Sequence, residues 1–150
     1  MYKRQLLTRV IEFVTPDDFS AEAHRSIFAA TLTLSDRKDG IDLVTVRHEL
    51  ERTGQLERAG AAYLAGLVDL VPDVENVVSY SKLIREAAMR RALILQSRRV
   101  IHDAVHSPDA EEVLESAQEK LVEIAKGSVR GGFVKLGRIC LLYTSPSPRD

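Results

Sequence analysis

From Val77 to about Val105 the chain carries neither glycine nor proline. A helix of that extent is about 43 Å long at about 1.5 Å per residue, and any fold the chain adopts has to accommodate it. Asn76 is placed to cap its start. At the far end, Ser107-Pro108 supplies an N-cap followed by proline at a first helical position, where the absent N–H has no intrahelical partner to lose. The next helix runs to Lys126, opens with Asp109, Glu111 and Glu112, and is expected to stop at Gly127. Ala110, Val113, Leu114, Ala117, Leu121, Ile124 and Ala125 form a single apolar stripe along it. Two long helices joined by so tight a turn predict an αα-hairpin.

The residues ahead of the hairpin also read as helices. Leu6, Leu7, Val10, Ile11 and Val14 recur at helical spacing, and Pro16-Asp17-Asp18 ends that segment. Ser20 is the expected N-cap of a second helix to about Leu34, with Glu22 near its positive end and Ile27, Phe28 and Leu32 inward. Asp36 to Gly40 is a turn. Asp42 caps a third helix that ends with Gly54 just past its C-terminus, and Ala61 to Asp69 is a short Ala/Leu helix closed by Pro72. No stretch alternates with period two, and no internal repeat is present. The expected fold class is all-α, a small helical head plus a long antiparallel helical hairpin.

Composition narrows the function classes. The 150 residues suit one domain with a real core, and 45% apolar with 29% charged residues is ordinary for a globular chain. No run of about 18 apolar residues exists, which excludes a transmembrane helix. The N-terminus lacks the apolar stretch of a signal peptide. A net charge of −1 gives no overall drive toward nucleic acid or anionic membrane.

The two ends read differently from the rest. Cys140 to Asp150, CLLYTSPSPRD, matches one reading frame of a common transposase library adapter residue for residue, and Met1 to Gln5, MYKRQ, matches the complementary strand. The expectation is a natural segment of 134 residues, Leu6 to Ile139, cut from a longer gene and flanked by ends that make no stable contacts with the domain. Without those ends the net charge is −3, the only cysteine carries no redox information, and the Ser/Pro tail is expected to be disordered.

Candidate chemistry is sparse. His102-Asp-Ala-Val-His106 places two imidazoles on one helical face, as in the HExxH zinc motif. The aspartate is shorter than the general base of that motif, and no later histidine supplies a third ligand. No metal ligand is assigned, and two exposed histidines near a helix end are expected. His24 and His48 stand alone, as helix-surface or half-buried residues. Gly132 to Ile139 imitates the phosphate loop GxxxxGK[ST], but Arg138 replaces the lysine, Ile139 replaces the hydroxyl, and no strand precedes it. No catalytic or cofactor-binding residue is assigned either.

The hairpin is more informative. Its first helix carries Lys82, Arg85, Arg90, Arg91, Arg98 and Arg99 against Glu86 and Asp103, a net +4. The second carries Asp109, Glu111, Glu112, Glu115, Glu119 and Glu123 against Lys120 and Lys126, a net −4. Equal and opposite charges point to mutual neutralisation, within the hairpin or between chains, rather than to a basic helix that tracks DNA phosphates. The longer helix outruns its partner by about ten residues, roughly 15 Å, so part of its apolar surface has to meet the head or another chain. Tyr80, Ile84, Leu95 and Ile101 on the first helix, with Val113, Leu114, Ala117, Leu121 and Ile124 on the second, are the candidate interface.

The order of residues carries a resemblance. Pro16-Asp17-Asp18-Phe19, His24-Arg25-Ser26-Ile27-Phe28, Ile41-Asp42-Leu43-Val44-Thr45-Val46, Leu50-Glu51-Arg52-Thr53-Gly54-Gln55-Leu56 and Gly60-Ala61-Ala62-Tyr63-Leu64-Ala65-Gly66-Leu67 follow one another. Pro72, Asn76, Tyr80, Ile84-Arg85-Glu86 and Arg91 continue the series, and Gly131-Gly132-Phe133-Val134 looks like the start of a linker. In this series the chain resembles the N-terminal domain of the bacterial replicative DNA helicase, the DnaB family, over nearly all of Leu6 to Ile139. Ala61 departs from the usual second glycine.

The adapter match and that resemblance together give four expected segments: residues 1–5 adapter-derived, 6–128 the helicase N-terminal domain with its first helix truncated, 129–139 the start of the linker to an absent ATPase domain, and 140–150 an adapter-derived tail. The resemblance implies a collar that pairs with other copies as dimers within a hexamer and receives primase, with a helicase loader as a further partner. ATP, magnesium and most contacts with DNA belong to the motor domain, so this chain is expected neither to hydrolyse ATP nor to unwind DNA. No membrane contact is implied, and the setting is the cytoplasmic bacterial replisome. The alternative class is a free-standing all-α DNA-binding or regulatory interaction module built on the Arg-rich helix. It lacks an evident recognition helix, and the charge balance opposes it.

Overall fold

A computed structural model describes residues 2–70 and 74–128 of the chain. Its helices are α1 (Tyr2–Ile11), α2 (Glu22–Asp36), α3 (Leu43–Arg52), the single turn α4 (Leu56–Ala59), α5 (Ala61–Asp69), α6 (Val77–His106) and α7 (Ala110–Ser128), with 3-10 turns at Pro16–Asp18 and Val74–Asn76. Among the described residues there is no strand, and the all-α head with its helical hairpin is the expected fold. Two compact units divide the chain, one up to Ala92 and one from Leu93, so the division falls inside α6. Pro72, the linker-like Gly131 to Val134, the loop Gly132 to Ile139 and the tail Cys140 to Asp150 lie outside the described residues.

The core of the first unit gathers Ala30, Leu34, Val46, Leu50, Ala59 and Leu64, with Ile27, Ile41 and Leu56 packed against it. Helix α2 buries Ser26, Ala30 and Leu34, one residue per turn. The sequence assigned Ile27, Phe28 and Leu32 to that inner face; Ile27 does pack against the core, while all three are half-buried. Small side chains at the centre of the stripe let α3 and α4 approach the helix closely. Helix α2 also starts later than Ser20 suggests. Ala21 occupies its N-cap with no side-chain bond, and Glu22 opens the helix.

Local chemistry fixes α3 at both ends. The Thr45 amide donates to Asp42 Oδ1 at 2.9 Å, and the Asp42 amide donates to Thr45 Oγ1 at 3.0 Å, a reciprocal cap. Beyond the C-terminus Gly54 adopts φ 69°, which lets the Gln55 amide reach back to the Leu50 carbonyl at 2.8 Å. Both caps were legible in the sequence. The cap of α7 was not: Asp109, not Ser107, accepts from the amides of Glu111 (2.9 Å) and Glu112 (3.2 Å), so Pro108 precedes the helix instead of opening it. Gly127 lies within α7, which continues to Ser128.

The N-terminal residues correct another expectation. Tyr2 to Gln5 extend α1, and Arg4 Nη2 donates to the Asp39 carbonyl at 2.9 Å. Leu7 is buried, and once it anchors the helix each added residue gains a backbone hydrogen bond at little further cost. These residues therefore do contact the domain.

A buried carboxylate ties α2 to α3. Glu49 accepts from Arg52 Nη2 at 2.6 Å and Nε at 3.0 Å, and from Arg37 Nη1 at 3.1 Å. The Arg52 hydrogen bonds, aided by the Arg37 charge and opposed by burial, hold its pKa well below the usual carboxylate value, lowered to about 2. A pKa lower in the folded than in the unfolded chain adds stability above the unfolded value of 4.5 and loses it as pH falls toward 2. Glu49→Gln is expected to lower the melting temperature at neutral pH and to flatten its acid dependence. Thermal melts from pH 7 to about 2 check this; an unchanged acid slope in the variant would remove Glu49 from the account.

Candidate functional site

In the first unit, the segment Thr15 to Phe19 is held by its own turn and by three arginines. Pro16 starts the 3-10 turn, and Asp18 Oδ2 accepts from the Thr15 amide at 2.8 Å. The other carboxylate oxygen pairs with Arg85 of α6 at 2.5 Å, with both side chains largely buried. Arg91 Nη2 donates to the Asp18 carbonyl, and Arg25 Nη2 to the Phe19 carbonyl at 3.1 Å. Ser81, one turn before Arg85, is buried and returns its hydroxyl to the Val77 carbonyl at 2.7 Å.

Beside this anchor lies a groove of about 500 Å³. Phe19, Ile27, Phe28, Ile84 and Ala87 give it apolar walls, and Ser20, His24, Thr31 and Arg91 give it a polar edge. His24 is hydrogen-bonded to the Tyr63 hydroxyl and stacks edge-on against Phe19, so it is a half-buried bracing residue. Among the described residues no three His, Cys, Asp or Glu side chains converge on one point.

The second unit places most of the sequence-predicted interface at the surface. Leu95 is 53% exposed, Ile101 66%, Leu114 59% and Leu121 47%. Ile94 and Val105 join Ile101 on one face of α6, seven and four residues apart. What turns inward on this half of α6 is Gln96, which is buried, and Val100, which is half-buried. On α7, Ala117 is buried while Val113 and Ile124 are half-buried. The stripe on α7 is thus split: Ala117 is interior, and Leu114 with Leu121 flank it toward solvent. Leu95 and Ile101, which the sequence set opposite that stripe, are each more than half exposed. Tyr80, exposed, and Ile84, half-buried in the groove wall, belong to the first unit.

Charge pairing also departs from one expectation. Among the described residues, the polar pairs of this kind on α6 and α7 within this unit are the His102–Asp103 contact and the Lys120–Glu123 ion pair, each inside one helix. Arg98 and Arg99 make no ion pair with an α7 carboxylate, so neutralisation within the hairpin is diffuse rather than bridged. His102 and His106 are exposed, as their position near the helix end suggested.

A sequence model described as the DnaB-like helicase N terminal domain matches residues 1–86, more than half of the chain. The chain belongs to this family. Replicative DNA helicase DnaB of Geobacillus stearothermophilus is 36% identical over 124 residues, covering 81% of this chain and 27% of the relative. Replicative DNA helicase DnaC of Bacillus subtilis is 35% identical over 129 residues, covering 85% of this chain and 28% of the relative. The chain therefore spans about a quarter of the length of these curated relatives. The crystal structure of the N-terminal domain of DnaB helicase from Mycobacterium tuberculosis aligns with TM-score 0.72 at 34% identity, over 78% of this chain and 84% of that one.

Several residues that carry the DnaB resemblance now have physical roles. Asp18, Arg25, Arg85 and Arg91 form the anchor around the 3-10 turn, a constellation the sequence reading did not assemble. Its signal was present: an Asp after a helix-breaking proline and two arginines six residues apart in α6. Removing one partner of a buried pair leaves the other charge uncompensated, at a cost of about 3 kcal/mol. Asp18→Ala is expected to destabilise the domain by about that amount in urea unfolding; a change below about 0.5 kcal/mol would show that the pair is dispensable.

Proposed function

We propose that this chain acts as the collar domain of a bacterial replicative DNA helicase, self-associating through its hairpin and docking primase, with DNA unwinding and ATP hydrolysis residing in a motor domain of the parent protein. The setting is the cytoplasmic replisome, and a helicase loader is a further partner. Family membership and the names of the relatives support the replicative assignment. The observation that carries the interaction role is the outward face of the hairpin: Ile94, Ile101 and Val105 on α6, with Leu114 and Leu121 on α7, are large, apolar and exposed. Burying each such side chain contributes about 1.5–3 kcal/mol, so covering even part of this face favours association. The basic α6 and acidic α7, unbridged within one chain, would attract each other between two antiparallel hairpins and set their register.

Leu121→Asp and Ile101→Asp, each first shown to remain folded, test this reading, since both side chains are exposed. An interfacial carboxylate without a partner costs several kcal/mol, so each variant is expected to weaken self-association or capture of the primase's helicase-binding domain by about tenfold or more. Analytical sedimentation, alone and with that primase domain, reads the effect. Folded variants that associate as well as the parent would contradict the interface.

A further inference from the structure

The last two turns of α6 hold a pair of imidazoles side by side on one face of the helix. His102 and His106 stack with ring centroids 4.3 Å apart and planes 21° from parallel. His106 Nδ1 contacts the His102 carbonyl at 2.7 Å, and His102 Nδ1 contacts Asp103 Oδ1 at 3.1 Å. A carbonyl and a carboxylate can only accept, so each Nδ1 is the donor, and in the neutral ring the lone pair is then on Nε2. Orientation of the distal ring nitrogen by a backbone carbonyl or a carboxylate is the outer-shell arrangement found around metal-bound histidines.

We propose that His102 and His106 form a two-imidazole site for a late divalent transition metal, of the class of Zn²⁺, Ni²⁺ or Cu²⁺. Imidazole nitrogen suits these ions in preference to Mg²⁺ or Ca²⁺, which take oxygen. With bonds of about 2.1 Å, one ion needs the two Nε2 atoms about 3–3.4 Å apart. The stacked rings bring the two side chains together, and both are exposed, so they can turn out of the stack until their Nε2 lone pairs converge on one ion. This is not the catalytic HExxH arrangement, because Asp103 orients His102 and Asp109 caps α7, which leaves the remaining coordination positions to water or an external ligand. Binding would link consecutive turns of α6 immediately before the Ser107–Asp109 connection.

Isothermal titration calorimetry of the full chain with NiCl₂ and ZnCl₂ tests the proposal, in a Cys140→Ser background so that the thiol does not compete. One ion per chain is expected. His102→Ala and His106→Ala should each weaken binding by about tenfold or more, and Asp103→Ala by a smaller factor. His48→Gln, a change in the first unit, should leave it intact. A metal-dependent rise in melting temperature, lost in His106→Ala, is expected in parallel. Undiminished affinity in His106→Ala, or loss of binding in His48→Gln, would overturn the site.

Discussion

A helix buries only the side chains its neighbours can reach, and on the distal half of α6 those are Gln96 and Val100. Its bulk lies elsewhere. Ile94, Ile101 and Val105 occupy the outward face, where a chain standing alone leaves them in water. On α7 the buried residue is Ala117, and Leu114 and Leu121 remain outside. A hairpin with a thin inner seam and large aliphatics outside gains more from association than from its own closure. That distribution of bulk supports the association proposed for the second unit.

The first unit answers a different requirement. Its core holds six small or branched apolar residues from α2 to α5, and its firmest polar feature is the anchor around Asp18. A buried aspartate is tolerable because its own turn and Arg85 satisfy both carboxylate oxygens. Arg91 and Arg25 hold the adjoining carbonyls, so one short turn is fixed by side chains from α2 and α6. Glu49 repeats the device between α2 and α3. Charged pairs of this kind add little net stability over a well-packed apolar core, but they specify which surfaces meet.

Much of this was legible in the residues. The glycine-free run after Asn76, the Asp42 cap, Gly54 and the Ala/Leu helix after Gly60 each named an element that the structure contains, because local chemistry sets them. The family was legible as well, from an ordered series of short motifs. Facing was not. Phe28 and Leu32 looked inward by size, yet Ser26, Ala30 and Leu34 are the residues of α2 that are buried, because the small Ser26 and Ala30 permit closer helix packing. Leu95 and Ile101 looked like partners of the α7 stripe, and their exposure depends on the rotation of α6, which no periodicity count fixes. The Asp18 anchor joins residues 67 and 73 positions apart, beyond any local pattern. Tyr2 to Gln5, expected to stand apart from the domain, instead continue α1, since a helix accepts any competent residue at its end.

The central claim is that the hairpin's outward face is covered when the protein assembles. Hydrogen–deuterium exchange of the intact chain, followed over a concentration range that spans self-association, tests it most directly. The account predicts that amides of residues 93–105 and 110–124 gain protection as oligomers form, while those of α5, where Tyr63 and Val68 are also exposed, stay unchanged. Protection that appears along α5 and leaves the hairpin as it was would contradict the account.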